Sequence, residues 1–209
     1  MKSSLLSSSL VVILFLFSCS SVKRISGIEM DRVDTILHSY FDSSATSVKY
    51  KAEISIFGKH FSGILLFKFT NDTTCHSAFV TIPGMKLFDL QLTPKTCQVY
   101  ECIPQLNKPA VLATIEKNIR IFTMLDDFKG KTLNIYTNLN QDLICRKNTL
   151  KGTYDFYESK EGKISKIEYL NKKLKKKIIL TAQEFQGSLP GIVNIKNRGI
   201  NLSIHLIKL

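Results

Sequence analysis

The chain has 209 residues, of which 44% are hydrophobic and 22% are charged, and its formal net charge at pH 7 is +12. This length and hydrophobic fraction suffice for one domain with a sizeable core, and no second domain is required. The basic excess favours anionic partners such as lipid headgroups or nucleic acid. Because the sequence carries no recognised nucleic-acid-binding motif, we expect no nucleic-acid partner.

Residues 1–18 have the pattern of an export signal. Lys2 precedes an apolar run at 10–17, which the small residue Ser18 closes, and this order is typical of secretory signals. The run is shorter than the roughly 20 residues that a transmembrane helix needs. Cys19 follows directly and resembles the cysteine of a bacterial lipobox, which implies cleavage before it and acyl chains such as palmitate on the modified residue. A plain secretory signal cut near Ser18 is the alternative.

Residues 19–27 predict a short tether between the lipid and a single domain that spans 28–209. Lys23 and Arg24 could lie against anionic headgroups, or they could belong to an ordinary solvated linker. From 28 to 41, apolar residues recur near helical spacing and acidic residues fall toward the start. This pattern favours an amphipathic first helix.

The pattern of residues 47–209 predicts several strands, then a second helix and then further strands. Alternating β-branched and aromatic residues bounded by turn residues favour strands, and a return of the helical period marks the second helix. The predicted strands are 47–57, 60–69, 75–82, 88–92, 96–103, 150–158, 163–169, 176–185, 192–195 and 201–209, the second helix is 109–127, and 132–138 is ambiguous. The predicted fold class is therefore α+β, mainly β and antiparallel.

No set of residues in the sequence assembles into a recognisable catalytic site. Motifs for a serine nucleophile, a metalloprotease helix or a phosphate loop are absent from the sequence. Cys75 and His76 are adjacent, but neighbouring residues of a strand point to opposite faces, so we expect no dyad. Asp126 and Asp127 are interpreted as a solvated helix end. We therefore expect a protein that is not an enzyme.

The cysteines and histidines give no metal-binding pattern. If Cys19 is acylated, Cys75, Cys97, Cys102 and Cys145 remain. An exported protein can hold one or two disulfides, but the sequence does not reveal their connectivity. Cys97 and Cys102 are not spaced like a common zinc pair, and the four histidines are scattered. We expect no metal and no cofactor.

The densest cluster of charge is the lysine-rich run at 172–177. It falls between two predicted strands. It could be a hairpin tip that is attracted to anionic lipid, or a solubilising turn and sheet edge that the lysines keep unpaired.

An apolar group follows the turn at Pro83 and Gly84. Met85, Leu87 and Phe88 stand where loops normally expose polar residues. Exposed apolar residues at a loop tip can insert into a bilayer or into a groove of a partner. The alternative is that Leu87 and Phe88 begin the next strand.

Three stretches resemble the LolA/LolB family of bacterial lipoprotein carriers and receptors. They are Cys19 with the following predicted helix, the loop at 82–88 that leads into 89–92, and the ending at 189–195 with 201–206. The resemblance covers nearly the whole chain after Cys19. It implies an antiparallel, incompletely closed β-barrel, a half-barrel lined with apolar side chains and covered by helices, which binds acyl chains on its concave face.

The resemblance also implies site residues. Met85, Leu87 and Phe88 would form a membrane-insertion loop. Tryptophan, common in the cavities of such relatives, is absent from this chain, so phenylalanines would line the ligand cavity: Phe57, Phe67, Phe69 and Phe79.

The resulting hypothesis is a lipoprotein that is anchored in the bilayer through acylated Cys19 and binds acyl chains or lipidated protein, in lipoprotein localisation. Ser20 after the cysteine lacks the aspartate that retains many lipoproteins at the inner membrane, which favours the outer membrane and a periplasm-facing domain. The alternative is a structural or assembly lipoprotein that binds a protein partner in an envelope complex. An open apolar cavity would favour the first hypothesis, and a cavity filled by the protein's own side chains the second.

Overall fold

The structure, a computed structural model, describes residues 28–30, 39–41, 47–71, 73–125, 134–137 and 143–209. Within these residues the protein is mainly β, with thirteen strands and one helix. The strands are β1 (Ile28–Met30), β2 (Ser47–Ile56), β3 (Lys59–Asn71), β4 (Thr74–Val80), β5 (Lys86–Leu92), β6 (Cys97–Cys102), β7 (Asn134–Thr137), β8 (Leu143–Thr149), β9 (Gly152–Glu158), β10 (Ile164–Asn171), β11 (Lys176–Gln186), β12 (Leu189–Asn197) and β13 (Leu202–Lys208), and the helix is α1 (Pro109–Thr123). The predicted signal at 1–18 and tether at 19–27 lie outside the described residues.

All thirteen strands belong to one antiparallel sheet. Their order is β1-β7-β8-β9-β10-β11-β12-β13-β2-β3-β4-β5-β6. The sheet consists of two meanders, β7 to β13 and β2 to β6, which join where β13 pairs with β2. The strands β1 and β6 are its two edges, and no pairing among the described residues closes them into a barrel.

The pleat of β2 explains how the sheet obtains an apolar face. Successive side chains of a strand point to opposite faces, and in β2 the buried and exposed positions alternate. Tyr50 and Ile54 are buried, while Lys49 and Lys51 are exposed. One face of the sheet therefore packs into the core and the other is solvated.

The helix α1 packs its apolar stripe against that face. Pro109 stands in its first turn, where the missing N–H costs nothing. Val111, Ile115 and Phe122 are buried. They lie four and seven residues apart, which places them on one face of the helix. Met124 follows with φ of 53°, a left-handed conformation that ends the helix.

The contacts of α1 show that the sheet curves strongly around it. Lys117 contacts the ring of Tyr154 in β9, and Arg120 donates to the carbonyl oxygens of Thr93 and Thr96 in the β5–β6 turn. In a flat sheet the eight strand spacings between β9 and β5 would span roughly 38 Å. Residues three apart on a helix are separated along its axis by only about 4.5 Å. The two wings of the sheet therefore bend toward each other across the helix.

The structure confirms the predicted mainly-β, antiparallel class and most strand positions. The segment predicted as a helix over 109–127 is a helix over Pro109–Thr123. The ambiguous segment 132–138 contains β7, and β8 was not predicted. In β8 the run Arg146-Lys147 interrupts the apolar alternation, and the charge of Arg146 is satisfied by Asp155 of β9 through two hydrogen bonds.

The prediction of a helix over 28–41 is wrong at its start. Ile28–Met30 is a strand that pairs antiparallel with β7, with Met30 opposite Ile135. Helical spacing over so short a segment is a weak signal, and pairing with the exposed edge of β7 satisfies the backbone instead. Residues 31–38 lie outside the described part of the chain.

Candidate functional site

An open groove of about 490 Å³ lies at one end of the sheet. It is lined by the start of β3, the loop before β5 and the segment after β6, through Lys59, His60, Phe61, Met85, Leu87, Ile103, Pro104 and Gln105. Apolar side chains form most of this lining, and the basic residues Lys59 and His60 are exposed beside it. Small-ligand pockets commonly measure ~300–1,000 Å³, so the groove is large enough for part of an acyl chain.

The loop at 81–85, which carries Met85 into the groove, is held by its own hydrogen bonds. The Thr81 N–H donates to the carbonyl oxygen of Met85 over 2.9 Å, and the Met85 N–H donates to Thr81 Oγ1 over 3.0 Å. Gly84 closes the turn with φ of 92°, where a side chain would be strained. Ile82 and Met85 are both exposed, so the loop presents two apolar side chains at fixed positions.

Leu87 and Phe88 lie in the core, and this corrects their assignment to an exposed membrane-insertion loop. Both belong to β5, and both are buried. The pairing of β4 with β5 shifts between Phe79 and Val80, which leaves Leu87 as the extra residue of a β-bulge. The bulge breaks the alternation and buries two consecutive side chains, with Leu87 beneath the surface of the groove. The membrane role of Met85 stays a prediction.

The four phenylalanines predicted to line one cavity are not brought together. Phe57 is exposed in the β2–β3 turn, so it cannot line an interior cavity. Phe67 and Phe79 are fully buried on β3 and β4, and Phe69 is partly buried beside the core. None of the four lines the groove.

The interior beneath α1 is filled by the protein's own aromatic rings. The ring of Phe122 lies 5.3 Å from that of Phe67, 5.6 Å from that of Tyr50 and 5.2 Å from that of Phe41, measured between centroids. The Tyr50 hydroxyl donates to the carbonyl oxygen of Pro190 over 2.9 Å, and burial raises the pKa of Tyr50 well above its usual range. Among the described residues, the groove beside Met85 offers open apolar space outside this aromatic cluster.

Asn118 is an unusual residue on the inner face of α1. It is fully buried, and among the described residues neither its Oδ1 nor its Nδ2 has a hydrogen-bond partner. An unpaired buried polar group costs about 1–3 kcal/mol. An apolar residue at position 118 would therefore make the contact between α1 and the sheet more stable.

The four cysteines in the described residues carry free thiols. Cys75 and Cys145 are buried, and Cys97 and Cys102 are half-buried. Burial raises the pKa of Cys75 to about 12 and that of Cys145 to about 11. These two thiols are protonated at neutral pH and are therefore poor nucleophiles.

Cys75 and His76 do not face each other. Cys75 is buried, whereas His76 lies on the other face of β4 and stacks on Tyr100 with 5.8 Å between ring centroids. Across the described ranges, the side chains of histidine, cysteine, aspartate and glutamate form no group of three that could hold a metal ion. Asp126 and Asp127 lie outside these ranges.

The lysine-rich run forms the turn between β10 and β11. Lys172, Lys173 and Lys175 are exposed in this turn. Asn171 Oδ1 accepts hydrogen bonds from the N–H groups of Lys173 and Lys175, which fixes the turn. Both strands are internal to the sheet, so the lysines do not protect a sheet edge. The sheet-edge interpretation is therefore wrong, whereas a tip attracted to anionic lipid and a solubilising turn both fit the exposed hairpin turn.

In the part of the chain that the structure describes, no helix has the length and apolarity to cross a membrane. Cys19, the predicted acylation site, lies outside the described residues.

Comparison with solved structures shows a LolA-like fold. A LolA superfamily protein from Nitrosomonas europaea superposes with a TM-score of 0.51 at 7% sequence identity, over 81% of this chain and 86% of that chain. A DUF1329 family protein from Desulfovibrio piger (TM-score 0.41, 11% identity, 79% and 85% covered) and a domain assigned to outer membrane lipoprotein sorting in Vibrio parahaemolyticus (0.43, 9%, 80% and 85%) overlap more loosely. The chain's sequence matches no family model and no curated protein.

Sequence reasoning found one exposed residue of the groove, Met85, and missed most of the others. Phe61 and Ile103 fall in the predicted strands 60–69 and 96–103, and Pro104 follows the second of these strands. The proximity of these three to the loop at 81–85 depends on the pairing of β3, β4, β5 and β6. The one local signal was the apolar, proline-containing composition of 82–85 and 103–104.

Proposed function

We propose that the protein is a non-catalytic envelope protein that binds the acyl chain of a lipid or a lipidated protein in the groove beside Met85. In this proposal the curved sheet around α1 is the half-barrel implied by the resemblance to LolA/LolB proteins. The acyl chain lies in the external groove rather than in the filled interior. Such binding would serve the localisation of lipoproteins to the outer membrane.

The observation that carries the proposal is the open groove with an apolar lining and a basic margin. Burial of alkyl groups is worth about 0.8 kcal/mol per CH₂, and the half-buried side chains of Phe61 and Ile103 offer apolar surface for it. Lys59 and His60 stand where the polar end of an amphiphile would emerge. Binding of an acyl chain by these described residues requires neither a metal ion nor a catalytic group.

The proposal includes an anchor outside the described residues. Acylation of Cys19 would tether the domain to the bilayer, and the absence of aspartate at Ser20 favours the outer membrane with the domain facing the periplasm. A single acyl chain gives only reversible binding to membranes. A protein that bears several chains on Cys19, or a chain plus a basic surface, would remain at the membrane.

A second function is favoured by the filled interior. Phe122, Phe67 and Tyr50 occupy the space that an acyl chain would need beneath α1. A protein that keeps this fold without using its interior could act as an assembly lipoprotein, with a protein partner seated on the groove. The two functions predict different preferences for an acylated and an unacylated peptide.

Binding of a palmitoylated peptide tests the choice, with the unacylated peptide as reference. We expect the full chain to prefer the palmitoylated peptide, and Met85→Glu to weaken that binding by about tenfold or more, because a carboxylate would replace apolar surface in the groove. Met85 is exposed, so the variant keeps its fold. Ile82→Glu is the matched control, since Ile82 is exposed in the same loop but does not line the groove.

Equal affinity for both peptides would reject acyl binding and favour the assembly function. Equal weakening by Met85→Glu and Ile82→Glu would show that the loop acts through its surface as a whole and that the groove is not the site.

A further inference from the structure

The exposed apolar loop residues of the protein gather at one end of the sheet. In an antiparallel meander alternate connections leave from the same end. We define the basic end as the connections 57–58, 81–85, 103–108, 150–151, 172–175 and 198–201. Five of its large apolar side chains are 47% to 92% exposed: Phe57, Ile82, Met85, Leu150 and Leu174. In the described connections of the opposite end, only the terminal Leu209 is an exposed large apolar residue.

Hydrogen bonds and shared contacts join these connections into one surface. The Phe57 N–H donates to the carbonyl oxygen of Asn201 over 3.2 Å, and the Arg198 N–H donates to that of Lys177 over 2.7 Å. The groove joins the start of β3 to the loop at 81–85 and to the segment after β6. The Tyr169 hydroxyl of β10 donates to the carbonyl oxygen of Lys151 over 2.8 Å, which places the connection 150–151 beside its neighbour. The apolar tips therefore belong to adjoining connections rather than to isolated loops.

The charge of the six connections that define the basic end is of one sign. Its six connections contain no aspartate or glutamate and six basic residues: Lys108, Lys151, Lys172, Lys173, Lys175 and Arg198. The described connections of the opposite end, 93–96, 159–163 and 187–188, contain three lysines and Glu161. Among the connections that the structure describes, exposed large apolar side chains are interleaved with basic ones only at the basic end.

Two of the apolar tips occupy strained backbone positions. Phe57 and Leu174 have φ of 49° and 54°. Turn positions with positive φ are normally filled by glycine, asparagine or aspartate, because other L-residues are strained there. A large exposed apolar residue at such a position contributes nothing to the turn, and strain of this kind is typical of functional surfaces.

We propose that the basic end docks on an anionic bilayer surface. The apolar tips enter the interface between headgroups and acyl chains, and the surrounding lysines contact lipid phosphates. Anionic lipid is the occupant that fits, because its surface offers an apolar layer beneath a layer of negative charge. The proposal does not depend on what the groove binds.

Sedimentation with vesicles tests the docking. We expect the full chain to bind vesicles of phosphatidylcholine and phosphatidylglycerol much more tightly than vesicles of phosphatidylcholine alone, and to lose this preference as salt is raised. Every variant carries residues 1–27 unchanged, so their contribution to binding is the same in all comparisons.

Charge removal tests the lysines. Lys172→Gln with Lys173→Gln is expected to weaken binding to the anionic vesicles roughly 30-fold, since each surface lysine contributes about fivefold. Lys95→Gln with Lys160→Gln removes the same charge from exposed positions at the opposite end, and we expect little change.

Removal of the apolar tips tests insertion. Ile82→Ser and Leu150→Ser, at the two most exposed tips, are each expected to weaken vesicle binding roughly tenfold. Leu209→Ser, an exposed apolar residue at the opposite end, is the control and leaves binding unchanged.

Equal binding to both vesicle types, or equal losses in the variants of the two ends, would overturn the docking proposal. The Lys172→Gln, Lys173→Gln variant is expected to bind the palmitoylated peptide like the parent chain. Loss of vesicle binding with intact peptide binding would confirm docking as a separate property. Intact vesicle docking without peptide binding would reject the acyl groove and leave the docking surface in place.

Discussion

At the scale of single residues, Phe122 connects the helix to strands β2 and β3 of the sheet. Its ring contacts Tyr50 and Phe67, and also Tyr40 and Phe41. Aromatic pairs in tilted or edge-to-face geometry are worth about 0.5–1.5 kcal/mol beyond the area that they bury. Truncation of this one side chain therefore removes several favourable contacts at once.

Phe122→Ala is expected to lower the free energy of unfolding by about 3–5 kcal/mol, as large truncations in cores do. Urea denaturation measures the change. Leu150→Ala, at a side chain that is 92% exposed, is the control and is expected to change stability by less than about 0.5 kcal/mol. A loss below about 1 kcal/mol for Phe122→Ala would contradict the filled interior.

Glu168 is a buried carboxylate held by charged neighbours. Lys166 Nζ and Lys176 Nζ lie 2.9 Å and 2.7 Å from its oxygens, and the Tyr157 hydroxyl donates to it over 3.2 Å. Burial alone would raise the pKa of Glu168, but the hydrogen bonds and charges of the two lysines outweigh burial and lower it. Its carboxylate form is therefore preferred more strongly in the folded than in the unfolded chain.

Because the pKa of Glu168 is lower in the folded chain, its ionisation stabilises the fold at pH values above the unfolded-state pKa of about 4.3. This contribution is lost as the pH falls through the folded-state pKa. We expect Glu168→Gln to lower the free energy of unfolding at neutral pH by about 1–2 kcal/mol, a moderate value because both lysines are partly exposed. The difference in the free energy of unfolding between Glu168→Gln and the parent chain shrinks below about pH 4. Denaturation across pH measures it, with Glu53→Gln, at an exposed strand position, as control.

At the scale of elements, α1 combines a well-packed face with one costly residue. The amide of Asn118 is buried between Ile115 and Phe122 on the inner face, with no hydrogen-bond partner in the described part of the chain. The helix is therefore bound to the sheet less tightly than its apolar residues alone would allow. A weakened element of this kind is the natural place for the structure to open.

Asn118→Leu is expected to raise the free energy of unfolding by about 1–3 kcal/mol, because it replaces an unpaired amide with an apolar group of similar shape. Ala113→Leu adds an apolar side chain at an exposed position of the same helix and is expected to be nearly neutral. Destabilisation by Asn118→Leu would mean that the amide makes a favourable polar interaction after all.

Elements with strong periodic patterns could be predicted from the sequence, and elements that depend on distant partners could not. The alternation in β2 and the helical period from Val111 to Phe122 are local signals, and both elements were predicted. The strand Ile28–Met30 exists because β7 offers it an edge. The strand β8 carries Arg146 and Lys147, whose charges obscure its alternation until Asp155 pairs with Arg146.

At the scale of the whole molecule, sequence reasoning identified the important loop but misplaced part of it. The exposure of Met85 follows from the turn at Pro83 and Gly84, which the sequence indicates. The burial of Leu87 and Phe88 follows from a β-bulge, which depends on the register between β4 and β5. The groove and the basic end arise from the pairing of strands that lie far apart in sequence, so no local pattern could reveal them.

The two proposed surfaces belong to one end of the molecule. Met85 lines the groove and is also among the apolar tips of the basic end. A domain docked on a bilayer through this end would hold the groove next to the membrane, so an acyl chain could pass between the two without crossing water. Transfer of this kind would be driven by the continuous burial of alkyl groups.

Photolabelling of the full chain with a diazirine analogue of palmitate tests acyl binding in the groove most directly. We expect the adducts to map to peptides that contain Phe61, Met85 and Ile103, and excess palmitoylated peptide to suppress them. Adducts at Phe67 or Phe122 would place the ligand in the interior, and labelling that excess palmitoylated peptide does not suppress would contradict a specific acyl-chain site.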